Sequence, residues 1–127
     1  MFRVLVVDDD TAFRHAVNGL LRHQFPMIDV REANNAREAL QQIEGADLVF
    51  VDISLPDENG LDLAARIKAE HPRFTVGILT MHDSPEYRRA ALQHGADYFV
   101  SKGAPAEKIL EVVRSTLAGM HRNLTLS

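Results

Sequence analysis

Val4-Leu5-Val6-Val7-Asp8-Asp9-Asp10-Thr11 changes character twice over a short span. A continuous apolar, β-branched run stops at three successive carboxylates, and a helix start follows at Thr11. An apolar run that does not alternate reads as a strand buried on both faces, the condition of central strands in a parallel sheet covered by helices. The carboxylates then stand at the carboxyl end of such a strand, where open parallel sheets bind their ligands.

The same strand-then-helix pattern recurs along the whole chain. Apolar runs fall at Phe2 to Val7, Met27 to Arg31, Leu48 to Val51, Thr75 to Thr80 and Tyr98 to Val100. Met27 to Arg31 alternates more than the others, which points to an edge strand. Helical spacing lies between the runs. Phe13, Val17, Leu20 and Leu21 share one face after Thr11, and Ala36, Ala39, Leu40 and Ile43 follow a cap at Asn34 or Asn35. Leu61, Ala64 and Ile67 follow Asn59-Gly60; Ser84-Pro85 opens a fourth helix that stops at Gly95; a fifth starts near Pro105 with Ile109, Val112, Val113 and Leu117. Ser-Pro at a helix start and Gly at its end are the expected capping chemistry. Five strands alternating with five helices predict an α/β fold with one doubly wound parallel sheet.

The bulk properties fit one domain. The chain has 127 residues, 46% hydrophobic and 25% charged, with no cysteine. A disulfide scaffold and thiol catalysis are excluded, and a reducing, cytoplasmic compartment is expected. No apolar run approaches the roughly 20 residues of a membrane span, and no signal-peptide layout opens the chain. The net charge of −4, with scattered basic residues, argues against direct nucleic-acid binding by this chain. The domain is expected over residues 1–119, with residues 120–127 a short, polar, irregular tail or the start of a linker to an effector.

The strand ends decide the chemistry. Besides the three aspartates, the third run ends in Asp52, the fourth in Thr80 and the fifth near Ser101-Lys102. The fold would gather carboxylates, a hydroxyl and an ammonium on one rim. Close carboxylates repel one another unless a cation or a proton intervenes. Mg²⁺ meets that need with oxygen ligands. A carboxylate can also attack phosphorus to give an acyl phosphate, and phosphoryl transfer asks mainly for positioning and charge neutralisation. Asp52 suits the nucleophile, Asp8 and Asp9 the metal, and Thr80 and Lys102 the phosphoryl oxygens. Asp10 suits a helix cap. Taken singly these positions are uninformative; together, in one alternating pattern, they make coincidence a poor explanation.

With these residues in view, the chain resembles a response-regulator receiver domain over about Phe2 to Ala118. The matching pieces are Val4-Leu5-Val6-Val7-Asp8-Asp9-Asp10, then Val51-Asp52-Ile53-Ser54-Leu55-Pro56 with Gly60, then Leu79-Thr80, then Gly95-Ala96-Asp97-Tyr98-Phe99-Val100-Ser101-Lys102. The resemblance implies a flavodoxin-like fold with strand order 2-1-3-4-5. It implies that Asp52 accepts a phosphoryl group from a sensor histidine kinase or phosphotransfer protein. Asp9 would bind Mg²⁺ (or Mn²⁺) directly, Asp8 through water, and Asp52 and the Ser54 backbone carbonyl would complete the ligands. Thr80 would be the switch hydroxyl, Phe99 the switch aromatic, and Lys102 the partner of a phosphoryl oxygen. The product would be a signalling switch rather than a turnover enzyme, read out through the fourth helix, fifth strand and fifth helix. Tyr87, Arg88 and Arg89 are candidates for that face. Homodimerisation on phosphorylation and control of an attached effector, often DNA-binding, are further implications.

Two departures stand out. Gly103 follows Lys102 where the family commonly has a proline after a cis bond; a cis bond before a non-proline residue costs about 2.5–4 kcal/mol. The loop is therefore expected to be trans or strained, with Lys102 less firmly placed. Phe99 lacks the hydroxyl of a tyrosine, while Tyr98 should point to the opposite face. Ser54 and His82, each two residues past a site residue, are expected to border the water's approach, and His82 to influence hydrolysis. His15, His23, His71, His94 and His121 read as surface residues. Three rivals remain: an Asp-nucleophile phosphatase, whose D-x-D-x-T spacing is missed by one residue; a flavin-binding flavodoxin, whose phosphate three aspartates would repel; and a receiver-like scaffold that binds partners without phosphorylation.

Overall fold

The computed structural model describes residues 1–126, with side chains described through Gly119. Five strands, β1 (Arg3–Val7), β2 (Asp29–Ala33), β3 (Leu48–Asp52), β4 (Thr75–Thr80) and β5 (Tyr98–Ser101), alternate with five helices. These are α1 (Thr11–Gln24), α2 (Ala36–Gln41), α3 (Gly60–Glu70), α4 (Pro85–Gln93) and α5 (Glu107–Leu126). All strand pairs are parallel, in the order β2-β1-β3-β4-β5.

The expected fold is therefore the observed one, and the reason is visible in β1 and β3. Every residue of β3 is buried, as are Val4 to Val7 of β1. Alternate side chains feed two cores. Val4, Val6, Leu48 and Phe50 pack with Val17 and Leu21 of α1 and Ile109 and Val113 of α5. Leu5, Val7, Val49 and Val51 pack with Ala39, Leu63, Ile67 and Ala91 on the other face. Burying one such side chain contributes roughly 1.5–3 kcal/mol, so both faces must stay covered. Phe50 shows the fit: its register partner is Gly77, where a Cβ would lie 3.2 Å from two Phe50 ring atoms.

The caps follow the sequence. Asp10 caps α1 by accepting from Phe13 N, Asn35 caps α2, Asn59 caps α3 and Ser84 caps α4 ahead of Pro85. Gly95 takes φ +89° just past α4, a conformation that L side chains rarely adopt.

β2 and the C-terminal tail differ from expectation. β2 is an edge strand as expected, but it runs Asp29–Ala33, two residues later than Met27 to Arg31. Arg3 Nε pairs with Asp29 Oδ2 at 2.8 Å and Asp29 N donates to Phe2 O, while Val30 and Ala33 enter the two cores in this register. Met27, read as a strand residue, is 81% exposed in the preceding turn. β3 and β5 end at Asp52 and Ser101, as the reading of the strand ends expects. The tail expected to be irregular from Met120 continues α5 to Leu126, while Ser127 lies outside the described residues. Gly119 weakens a helix by about 1 kcal/mol, but no proline follows to stop it.

Candidate functional site

β1 and β3 are neighbours with Val7 opposite Val51, so the next residue on each strand, Asp8 and Asp52, reaches the same end of the sheet. Carboxylate oxygens of Asp8, Asp9 and Asp52 all lie within 4.8 Å of one another. Asp8 is fully buried, Asp52 is 6% exposed, and Asp9 faces solvent. Asp8 Oδ1 accepts from Asp10 N at 2.9 Å, and Asp52 Oδ1 accepts from Ser54 N at 3.2 Å.

Lys102 follows β5 and crosses the end of β4 to reach this cluster. Its Nζ lies 2.7 Å from Asp8 Oδ2 and donates to Asp52 Oδ2 at 3.2 Å. The contact with Asp8 is an ion pair, and Asp8 Oδ2 is a buried oxygen with no hydrogen-bond partner among the described residues. Burial pushes the Asp8 carboxyl up, against the ammonium's pull, and the Asp52 charge adds to the rise. Burial works against charge on Lys102 too, but the Asp8 and Asp52 carboxylates outweigh it and hold the ammonium above the ordinary lysine value. Lys102 Nζ thus has two carboxylates within 3.2 Å.

Thr80 ends β4 fully buried; its Oγ1 accepts from His82 N at 3.0 Å, and its carbonyl accepts from Lys102 N at 2.9 Å. Among the described residues no peptide bond is cis, so Lys102-Gly103 is trans. The expected looseness of Lys102 is not found: its side chain is 9% exposed and paired twice. Asp52 depends on Gly60 for its main chain. Gly60 N donates to Ile53 O at 2.8 Å, and Ser54 bridges Asn59, folding the loop back on the strand end.

Phe99 is half-buried against the α2–α4 core, whereas Tyr98 packs on the other side of the sheet, as alternation requires. The Arg88 guanidinium lies over the Phe99 ring at 4.7 Å and pairs with Asp83 at 2.8 Å. A groove of about 340 Å³ beside them is lined by Arg88, Phe99, Val100, Ala104, Lys108 and Val112. His82 is exposed and its ring stacks on Tyr87 at 5.0 Å. His15 and His23 are exposed as expected, but His71 and His94 are half-buried. His71 stacks on Phe74, and His94 Nδ1 lies 2.7 Å from the Ala90 carbonyl. His121 lies where side chains are not described.

Four residues of the site's surroundings were not foreseen. Arg14 is 6% exposed; it donates to the Asp8 carbonyl at 2.6 Å and to Glu32 Oε1 at 2.7 Å. Its signal was a charge on the apolar stripe Arg14-Val17-Leu21. Glu32 lies in β2, one residue past the apolar run Met27 to Arg31. Phe13 read as core, yet its ring stands 4.7 Å from Lys102 Nζ. Asp57, in the loop after β3, accepts from Ala36 N at 2.9 Å and Arg37 N at 3.0 Å, tying α2 to the site loop. No periodicity reports that contact.

Residues 4–114 match the response regulator receiver domain family. The chain is 37% identical over 121 residues to a putative transcriptional regulator of Pseudomonas aeruginosa, covering 94% of this chain and 58% of that protein. It is 32% identical over 124 residues to a cyclic di-GMP phosphodiesterase of Thermotoga maritima, covering 94% of this chain and 33% of that protein. The chain thus spans between a third and somewhat over half of these relatives. In structure it superposes on a CheY-like response regulator receiver domain protein of Methanospirillum hungatei with a TM-score of 0.86 and 30% identity. That match covers 97% of this chain and 98% of the other.

Proposed function

This chain belongs to the response regulator receiver domain family, and we propose that it is a phosphorylation switch whose acceptor is Asp52. The observation that carries the proposal is the Lys102 ammonium seated between Asp8 and Asp52 at the end of a parallel sheet, with its main chain bonded to the carbonyl of Thr80 at the end of β4. An Asp52 carboxylate oxygen forms a bond to phosphorus as the donor's phosphorus–nitrogen bond breaks. The histidine of a sensor kinase or phosphotransfer protein leaves with the electron pair and regains a proton.

The residues fit a hard divalent cation. Three carboxylates converge, and the buried Asp8 Oδ2 lacks a hydrogen bond. Asp8, Asp9, Asp52 and the Ser54 carbonyl would hold Mg²⁺ or Mn²⁺. Such an ion, when bound, neutralises charge on the phosphoryl oxygens. Lys102 pairs with one of those oxygens, and Thr80 turns its hydroxyl from His82 N toward another. Phosphorylation adds close to two negative charges; the movement of Thr80 opens space for Phe99, and the change is read on the α4, β5 and α5 face. Homodimerisation there, and control of an effector such as the transcription regulators among the relatives, follow from this reading. Nucleic acid would be reached only through such an effector. A cytoplasmic setting suits a kinase partner, and among the described residues no helix is long and apolar enough to cross a membrane. His82 and Ser54 border the water's approach and set the lifetime of the acyl phosphate; His82→Ala changes the dephosphorylation rate.

Incubation with acetyl phosphate and Mg²⁺, followed by intact mass, tests the proposal. Wild type gains one phosphoryl group and Asp52→Asn gains none. Equal labelling of both would refute it.

A further inference from the structure

We infer that Phe13 is a positioning residue for Lys102, its ring holding the ammonium over the acidic cluster at the one contact that does not compete with metal or phosphoryl group. The inference rests on the reading of Lys102 as the partner of a phosphoryl oxygen.

The main chain around Lys102 is well held. Lys102 N donates to Thr80 O at 2.9 Å, Gly103 N to Ser101 Oγ at 3.2 Å and Ala104 N to Ser101 O at 3.1 Å. A lysine stem, however, has four rotatable carbons and a compact charge that backbone bonds do not direct. The position of Nζ is set by three contacts: Asp8 at 2.7 Å, Asp52 at 3.2 Å and the Phe13 ring at 4.7 Å.

The two carboxylate contacts are conditional. Asp8 and Asp52 belong to the same cluster that would surround a divalent cation, and Asp52 is the proposed acceptor. A second cation there shares their charge and repels the ammonium. The aromatic face is different in kind. It attracts the ammonium through its quadrupole, offers no lone pair to the metal and shields the charge from water.

Phe13 is itself fixed. It is the third residue of α1, and its N–H donates to Asp10 Oδ1 at 3.1 Å in the cap that follows the acidic run. Its ring packs against the α1–α5 core. The turn that ends β1 in carboxylates therefore also places the ring that steadies their lysine.

The test compares Phe13→Leu, which keeps apolar bulk, with Phe13→Tyr, which keeps the ring. In wild type and Phe13→Tyr the Lys102 ε-methylene protons show an upfield ring-current shift, lost in Phe13→Leu. The initial rate of Asp52 phosphorylation by acetyl phosphate at saturating Mg²⁺ is read beside it. In this reaction an Asp52 oxygen bonds phosphorus and acetate leaves with the electron pair. That rate falls about three- to tenfold in Phe13→Leu and recovers in Phe13→Tyr. In a Lys102→Met background, Phe13→Leu causes no further loss. A phosphorylated wild type with an unimpaired Phe13→Leu overturns the inference, as does an equal loss in the Lys102→Met background. If wild type takes no phosphoryl group at Asp52, the functional reading fails instead. The ring-current comparison then still decides, and absence of the shift in wild type overturns the inference.

Discussion

Gly60 stands so close to Asp52 that a Cβ on it would lie 1.9 Å from the Asp52 carbonyl oxygen. The first turn of α3 is thus packed directly on the main chain of the proposed acceptor.

Gly60→Ala must push that main chain aside. We expect a loss of about 3 kcal/mol in urea unfolding, the upper range for overpacking, together with reduced labelling of Asp52. Gly19 in α1 is the control, since nothing lies within 4 Å of its would-be Cβ. Gly19→Ala should be neutral or stabilising by up to about 1 kcal/mol. If both variants unfold at the wild-type midpoint, the close approach has no energetic weight.

Asp9 is the exposed member of a cluster whose buried member, Asp8, is pushed up by its burial with the Asp52 charge adding. Asp9→Asn removes one like charge. The ion-free protein should gain about 1 kcal/mol, a modest figure because the group is solvated. The rise in melting temperature on adding Mg²⁺ should shrink at the same time. Thermal melts with and without Mg²⁺ check both halves; an unchanged Mg²⁺ response removes Asp9 from the metal site.

Asp57 carries a pH dependence. The backbone N–H of Ala36, with that of Arg37, holds its carboxyl below the ordinary carboxylate range. A folded value below the unfolded one means that the ionised form stabilises the fold. Its contribution is present above the unfolded value of about 3.9 and lost as pH falls through the lower folded value. Asp57→Asn should melt below wild type at neutral pH, and the gap should narrow below about pH 4. A gap independent of pH would assign the effect to something other than the carboxylate.

Arg88 over Phe99 sets a resting position for the proposed switch aromatic. Arg88→Met keeps the stem and removes the cation. An exposed cation–π contact is worth about 0.5–1 kcal/mol, so the ratio of ring positions should shift about two- to fivefold toward the inward one. Aromatic NMR of Phe99 in the unphosphorylated protein reads that ratio.

Much of this protein is written in local pattern. Val4 to Val7 and Leu48 to Val51, unbroken by polar residues, require burial on both faces, and that alone implies a helix-covered parallel sheet. Because such a sheet aligns its carboxyl ends, Asp8, Asp52, Thr80 and Lys102 could be assigned to one rim without any distance being known. Capping was legible for the same reason: Asp10, Asn59 and Ser84 act on neighbours a turn away. Contacts that join segments distant in the chain were not legible. Arg3 pairs with Asp29 across β1 and β2, Asp57 caps a helix it does not precede, Arg14 reaches the Asp8 carbonyl, and Phe13 meets Lys102. Periodicity reports which way a side chain faces, because that is fixed by the residue's own backbone. It does not report what the side chain meets, because the partner arrives only when the strands pack side by side.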